Sequence, residues 1–145
     1  MWLKTRFGAS SSVTPPSAPT FYIDESIYSR VLVETLVAAG VKTETAGAVV
    51  SFGAADEVWL EMCGANGCTA LTRDQRIRYR TIEKQALKSY KVGAFTFTGG
   101  QATGQQTADR VMALLPKLKA IAISTPRPFL YTFGLRGPIA TVKLR

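Results

Sequence analysis

Cys68-Thr69-Ala70-Leu71-Thr72-Arg73-Asp74 reads as a short strand that ends at once in a carboxylate. Just before it, Gly64 to Gly67 close a helix that Asp56 opens and that Val58, Trp59 and Met62 carry. Further back, Phe21 to Ile23 make a short buried strand followed by Asp24. From there the spacing predicts a helix capped by Ser26, with Ile27, Val31, Leu32, Leu36 and Val37 inward and a left-handed stop at Gly40. Val41 to Thr45 read as a second strand and Val92 to Phe97 as a fourth. Thr98 to Gln106 form a Gly-rich polar loop, and Thr107 to about Lys119 a helix with Val111, Leu114, Leu115 and Leu118 inward, which Pro116 kinks or ends early. Phe129 to Phe133 give a last strand. Strands and helices that alternate over short connections predict a parallel α/β sheet, with all strand C-termini on one side.

Three of the four aspartates, Asp24, Asp56 and Asp74, thus stand where a strand ends or a helix begins. If those strands are neighbours, the three carboxylates converge on one sheet edge into an anionic pocket suited to a divalent cation. For Asp56 an ordinary N-cap is the competing reading, because free N–H groups and the helix dipole favour a carboxylate there.

The surroundings are basic. Eighteen Lys and Arg against ten Asp and Glu leave a net charge of +8 in 145 residues, with an isoelectric point near 9.8. That balance suits a polyanionic partner, nucleic acid or an anionic membrane face, with a merely soluble basic protein as the equally weighted alternative on charge alone. Between Arg73 and Lys91 only Asp74 and Glu83 oppose a dense cationic run, in which Arg73, Arg76, Arg80 and Lys84 recur at helical spacing beside Asp74. A solvated helix face is the competing reading of that run.

The chain contains no histidine, which removes the usual zinc ligand sets, every His-based general base and a serine triad. Cys63 and Cys68 are the only cysteines and are expected as reduced core thiols, with a C-x4-C disulfide as the alternative. The Gly99-Gly100-Gln101-Ala102-Thr103-Gly104 loop matches neither a dinucleotide fingerprint nor a P-loop and is read as a lead-in to a helix. No apolar run is long enough to cross a bilayer, and no secretory signal is evident, so a soluble, cytoplasmic protein is expected. Residues 1–19, rich in Ser and Pro, are expected as a flexible tail, and 20–145 as a single domain.

Three ordered motifs carry a resemblance. They are Ile23-Asp24-Glu25-Ser26; Gly53-Ala54-Ala55-Asp56-Glu57-Val58-Trp59-Leu60; and Gly67-Cys68-Thr69-Ala70-Leu71-Thr72-Arg73-Asp74. From about Thr20 to Phe133 the sequence resembles the PIN-domain ribonucleases, within them a compact PIN-like branch that reads Asp-Glu-Asn after its first strand. The resemblance implies an α/β fold, a three-layer α/β/α sandwich on a mostly parallel sheet of four to five strands. It further implies a metal-dependent endoribonuclease using Mg²⁺ or Mn²⁺, similar to the VapC-like toxins of bacterial type II toxin–antitoxin pairs, with RNA as substrate, a small antitoxin as partner and a homodimer as assembly. Carried over by position, Asp24, Asp56 and Asp74 become the metal-binding acids. Glu25 is the nearest candidate for a fourth, with Glu57 behind it, while Glu34 reads as a helix-surface residue. Arg73, Arg76, Arg80 and Lys84 would then bind RNA phosphates. A PIN-like module that binds nucleic acid or protein without cutting, and a nuclease acting on structured DNA, are the alternatives.

Overall fold

The computed structural model describes residues 19–45, 56–74, 76–79 and 81–144, with the backbone alone for 56–57, 76, 79 and 81–83. The expected tail, apart from Pro19, lies outside the described residues. Six strands form one sheet: β1 (Thr20–Ile23), β2 (Lys42–Thr45), β3 (Thr69–Thr72), β4 (Gly93–Phe97), β5 (Phe129–Phe133) and β6 (Ala140–Thr141). Their order is β2-β1-β3-β4-β5-β6; β1 to β5 pair in parallel, and the short β6 runs antiparallel to β5. The helices are α1 (Arg30–Ala38), α2 (Asp56–Asn66), α3 (Arg76–Tyr79), α4 (Thr81–Tyr90) and α5 (Gly104–Ser124).

Side chains alternate across the sheet and divide the core in two. On one face Phe21, Ile23, Leu71, Phe95, Phe97, Phe129 and Phe133 meet Leu32 and Leu36 of α1 and Val111, Leu114, Leu115 and Leu118 of α5. On the other, Tyr22, Ala70, Ala94 and Leu130 meet Trp59, Leu60 and Cys63 of α2, Ile77 of α3 and Leu87 of α4. This is the expected three-layer sandwich on a mostly parallel sheet. Both layers are needed because β1, β3, β4 and β5 carry buried apolar side chains on both faces, and burying a single large side chain stabilises by about 1.5–3 kcal/mol.

From β1 the chain steps outward to β2, returns across β1 to β3, and then moves the other way through β4 and β5. The direction reverses between β1 and β3, and crevices of open α/β sheets form beyond the C-terminal ends of strands at such a reversal. The connections into β4 and β5 step the same way yet lie on opposite faces, α4 on one and α5 on the other. Those two crossovers therefore have opposite hands, a departure from the general right-handed rule.

Three local expectations are corrected. The first helix begins at Arg30 with Ser29 as its cap, accepting from Leu32 N at 3.1 Å, because residues 24–28 make a turn in which Ile27 N and Tyr28 N donate to Asp24 O. Consequently Val31 and Val37 face solvent, 36% and 56% exposed, while Leu32 and Leu36 face the core. The last helix spans Gly104–Ser124 and Pro116 does not end it. Its start is fixed by a capping box in which Gln106 N donates to Thr103 Oγ1 and Thr103 N to Gln106 Oε1. Beyond Pro116, Leu118 and Ala122 remain buried on the sheet, and that packing outweighs the lost backbone hydrogen bond. Gly40, at φ +80°, ends α1 as expected. Among the described residues no helix is long and apolar enough to cross a membrane.

Candidate active site

β1 and β3 end side by side. Asp24 N donates to Leu71 O at 3.0 Å, which continues the β1–β3 ladder one residue past the strands and sets Asp24 beside Thr72. Both project to the face of Tyr22 and Ala70, and the register extends the row through Thr96 of β4 to Thr132 of β5. A polar seam thus crosses the sheet at its C-terminal edge, with the Asp24 carboxylate at one end.

Asp24 is only 7% exposed, and one of its oxygens is heavily solvated by the protein. Oδ2 accepts from the Thr72 hydroxyl at 3.0 Å, from Ser26 N at 3.3 Å and from the Ser26 hydroxyl. Oδ1 accepts no hydrogen bond from a described residue. Donors converging on Oδ2 fix the carboxylate plane, so Oδ1 is the oxygen left to meet a cation.

The same hydroxyls tie in the third motif. Asp74 N donates to Thr72 Oγ1 at 3.1 Å and Arg73 N to Ser26 Oγ at 2.9 Å, so the turn carrying Asp74 is bound to the turn carrying Asp24. Asp74 is half-buried. Asp56 begins α2, and its side chain lies outside the described residues. The backbone nevertheless places it at the same end of the molecule. Trp59, one turn into α2, stacks on Tyr22 with ring centroids 5.4 Å apart, and Tyr22 precedes Asp24 by two residues on β1. An anionic residue at this helix start also serves the helix dipole, so the two readings of Asp56 are compatible.

The structure thus brings the Asp24 and Asp74 turns together and starts α2 beside them. Glu25 is exposed in the turn after Asp24 and takes no part in the hydrogen bonds to Asp24 Oδ2; the Glu57 side chain lies outside the described residues. Glu34 is a helix-surface residue as expected, in an exposed ion pair with Arg30 at 3.0 Å. Among the described residues no three acidic or cysteine side chains surround a common point. What is present fits a hard cation: a buried carboxylate with one oxygen held by hydroxyls and the other open, and a second carboxylate on the adjoining turn.

The cationic residues divide. Arg73 is half-buried; its guanidinium donates to Gly100 O and to Ala102 O at 3.2 Å and lies 5.4 Å from the Phe97 ring centre. It anchors the 98–102 loop over the strand ends. Lys84 is half-buried on α4, and the side chains of Arg76 and Arg80 lie outside the described residues. Sequence reading missed Arg78, which lines an open cleft of about 340 Å³ with Ser26, Arg73, Phe97, Thr98 and Gly100. It also gave Ser26 to a helix cap and Thr72 no role. For Thr72 the signal was the period of two, which puts it on the face of Asp24.

Away from this edge, Cys63 and Cys68 are free and fully buried, the reduced core thiols expected. Burial pushes the Cys63 thiol well above its ordinary pKa, reinforced by its hydrogen bond to Cys68 and by the charge of a Cys68 thiolate, while Arg127 opposes the shift.

In comparisons with known proteins, a family model described as a PIN-like domain matches residues 19–99, which is more than half of the chain and includes all three aspartates. No curated protein and no solved structure matches.

Proposed function

Because the chain belongs to the PIN-like domain family, whose fold is generally that of metal-using nucleases, we propose that it is a metal-dependent endoribonuclease. The observation that carries this reading is the state of Asp24: buried at the β1–β3 reversal, with Oδ2 bound by two hydroxyls and a backbone N–H. A carboxylate held so firmly on one side is preorganised to present the other.

In this reading Asp24, Asp56 and Asp74 hold Mg²⁺ or Mn²⁺, with Glu25 as a fourth acid supplied from the exposed turn. A bound ion of this kind lowers the pKa of a water and offsets charge on the phosphate in the transition state. The protein's own part is positional. Thr72 and Ser26 fix the Asp24 carboxylate, Thr72 also fixes the Asp74 turn, and the sheet edge brings these groups to one place without histidine. Arg73, Arg76, Arg80 and Lys84 supply positive charge toward phosphates of single-stranded RNA, in keeping with the net charge of +8.

Asp24→Asn keeps the size and most hydrogen bonds of the side chain and removes its charge. The variant is expected to retain the wild-type circular dichroism spectrum and to lose Mn²⁺-dependent cleavage of RNA by at least about a hundredfold; undiminished cleavage would overturn the assignment. A role as the toxin of a bacterial pair, silenced by a small antitoxin, follows the resemblance to VapC-like proteins. It is tested by whether a small protein encoded beside the gene co-purifies with this chain and inhibits it.

A further inference from the structure

The loop Thr98 to Ala102 lacks the sequence of a known phosphate-binding motif, yet the fold brings it to the acidic edge. Two glycines give it its shape. A Cβ on Gly99 would sit 2.2 Å from the Phe97 ring, so the loop lies flat on that ring only because residue 99 has none. Gly100 takes φ +45°, a backbone conformation that side chains disfavour. Arg73 then pins the loop from the β3 side through the carbonyls of Gly100 and Ala102. The result is a cleft between this loop and α3, with Arg78 on the α3 side.

The chemistry of its walls is one-sided. Among the described residues, Arg73 and Arg78 are the charged ones lining the cleft, Ser26 and Thr98 contribute hydroxyls, and no carboxylate lines it. Its volume of about 340 Å³ lies at the lower end of the range for small-ligand sites. Ser26 is a wall shared with the acidic site, since its hydroxyl donates to Asp24 and accepts from Arg73 N. An anion in the cleft is therefore adjacent to the Asp24 carboxylate and separated from it by a single side chain.

We infer that this cleft binds a phosphate group of the nucleic-acid strand next to the one that is cut, with Arg78 as its binding residue and Arg73 as the anchor that shapes it. The inference takes from the nuclease reading only the identity of the strand; the affinity for phosphate is a property of the cleft. A planar guanidinium suits phosphate because it offers paired N–H donors. Positive charge at this point draws the strand across the strand ends, where the carboxylates alone would repel it.

The test is made on the full chain in excess chelator, so that neither metal nor cleavage enters. Inorganic phosphate and a six-nucleotide single-stranded RNA are titrated separately by calorimetry or by amide shifts. The wild-type protein is expected to bind both. Arg78→Gln is expected to weaken each by about tenfold. Thr98→Glu, which sets a carboxylate at the exposed rim and leaves Arg78 in place, is expected to weaken both as well. Lys42→Gln, at the start of β2 and the opposite end of the strands, should bind like wild type. Wild-type affinity for phosphate in both cleft variants, with unchanged thermal midpoints, would overturn the inference. So would Arg78-dependent binding of free phosphate with no effect on the RNA, which assigns the cleft to a small anion. Binding of an acidic peptide that needs Arg78, where phosphate does not bind, would assign it to a protein carboxylate and equally overturn it. Loss of metal-dependent cleavage bears on the nuclease reading alone.

Discussion

Thr72 shows how much of a candidate site rests on a side chain without charge. Its hydroxyl donates to Asp24 Oδ2 and accepts from Asp74 N, so a single oxygen joins the ends of two motifs. Thr72→Val conserves the shape and is expected to lower the unfolding free energy by about 1–3 kcal/mol, the range for a buried polar partner left unmatched. Thr72→Ser keeps the hydroxyl and should lose less, by urea denaturation. Equal losses in the two variants would show that packing matters there and the hydroxyl does not. Cys63 offers a test by pH. Its thiol is held protonated in the fold, chiefly by burial, to a pH well above the ordinary value of 9.0. Between those two values the unfolded chain has released the proton and the native chain retains it, so stability falls as pH rises, by about 1.4 kcal/mol per unit for one group. This contribution is complete below pH 9. Urea midpoints measured from pH 8 to 10.5 should therefore decline, and Cys63→Ala should flatten the decline.

Helix boundaries record which side chains are committed elsewhere. Ser26 and Ser29 are equally good caps by composition, and what decides between them is tertiary: Ser26 is bound to Asp24 across the turn, so Ser29 receives the helix. No local pattern contains that information, because Ser26 Oγ also accepts from Arg73 N beyond another strand. The start of α5 is a different case. Thr103 to Gln106 carries the spacing of a capping box, and the Gly-rich loop before it drew the expected boundary too far along the chain. Thr103→Ala removes the acceptor for Gln106 N and is expected to cost about 1 kcal/mol, read as a lowered denaturation midpoint. A Thr103→Ser variant retains the cap and should stay near wild type. The opposite hand of the β4–α5–β5 crossover was not legible at all. It depends on which face α5 covers, and a periodic pattern of Val111, Leu114, Leu115 and Leu118 gives an apolar stripe without naming the face.

The parallel sheet as a whole was legible because strands and helices alternate along the chain, and the positions of Asp24 and Asp74 at its edge were legible because each lies within two residues of the end of a strand. The hydroxyl row was less so: Thr96 and Thr132 join it only through the register, which no single strand reveals. Arg78 was passed over because it falls between the arginines at helical spacing, and its cleft is made by a loop far along the chain. At the sheet's other side, β6 is two exposed residues, the least substantial element of the fold. Its neighbour β5 is Phe-Leu-Tyr-Thr-Phe, uncharged, aromatic and free of proline, the composition of segments that stack into cross-β fibrils. The ladder from Thr132 to Ala140 and from Tyr131 to Thr141, continued by Val142 N donating to Leu130 O, occupies the hydrogen-bonding groups that β5 would otherwise turn outward. Truncation after Gly137 leaves that edge open. The shortened chain is expected to gain thioflavin T fluorescence on incubation while the 145-residue chain stays dispersed, and equal behaviour of the two would remove β6 from this role. On that outcome a two-residue strand acts as a guard against self-association, keeping an uncharged, aromatic strand from recruiting a copy of itself.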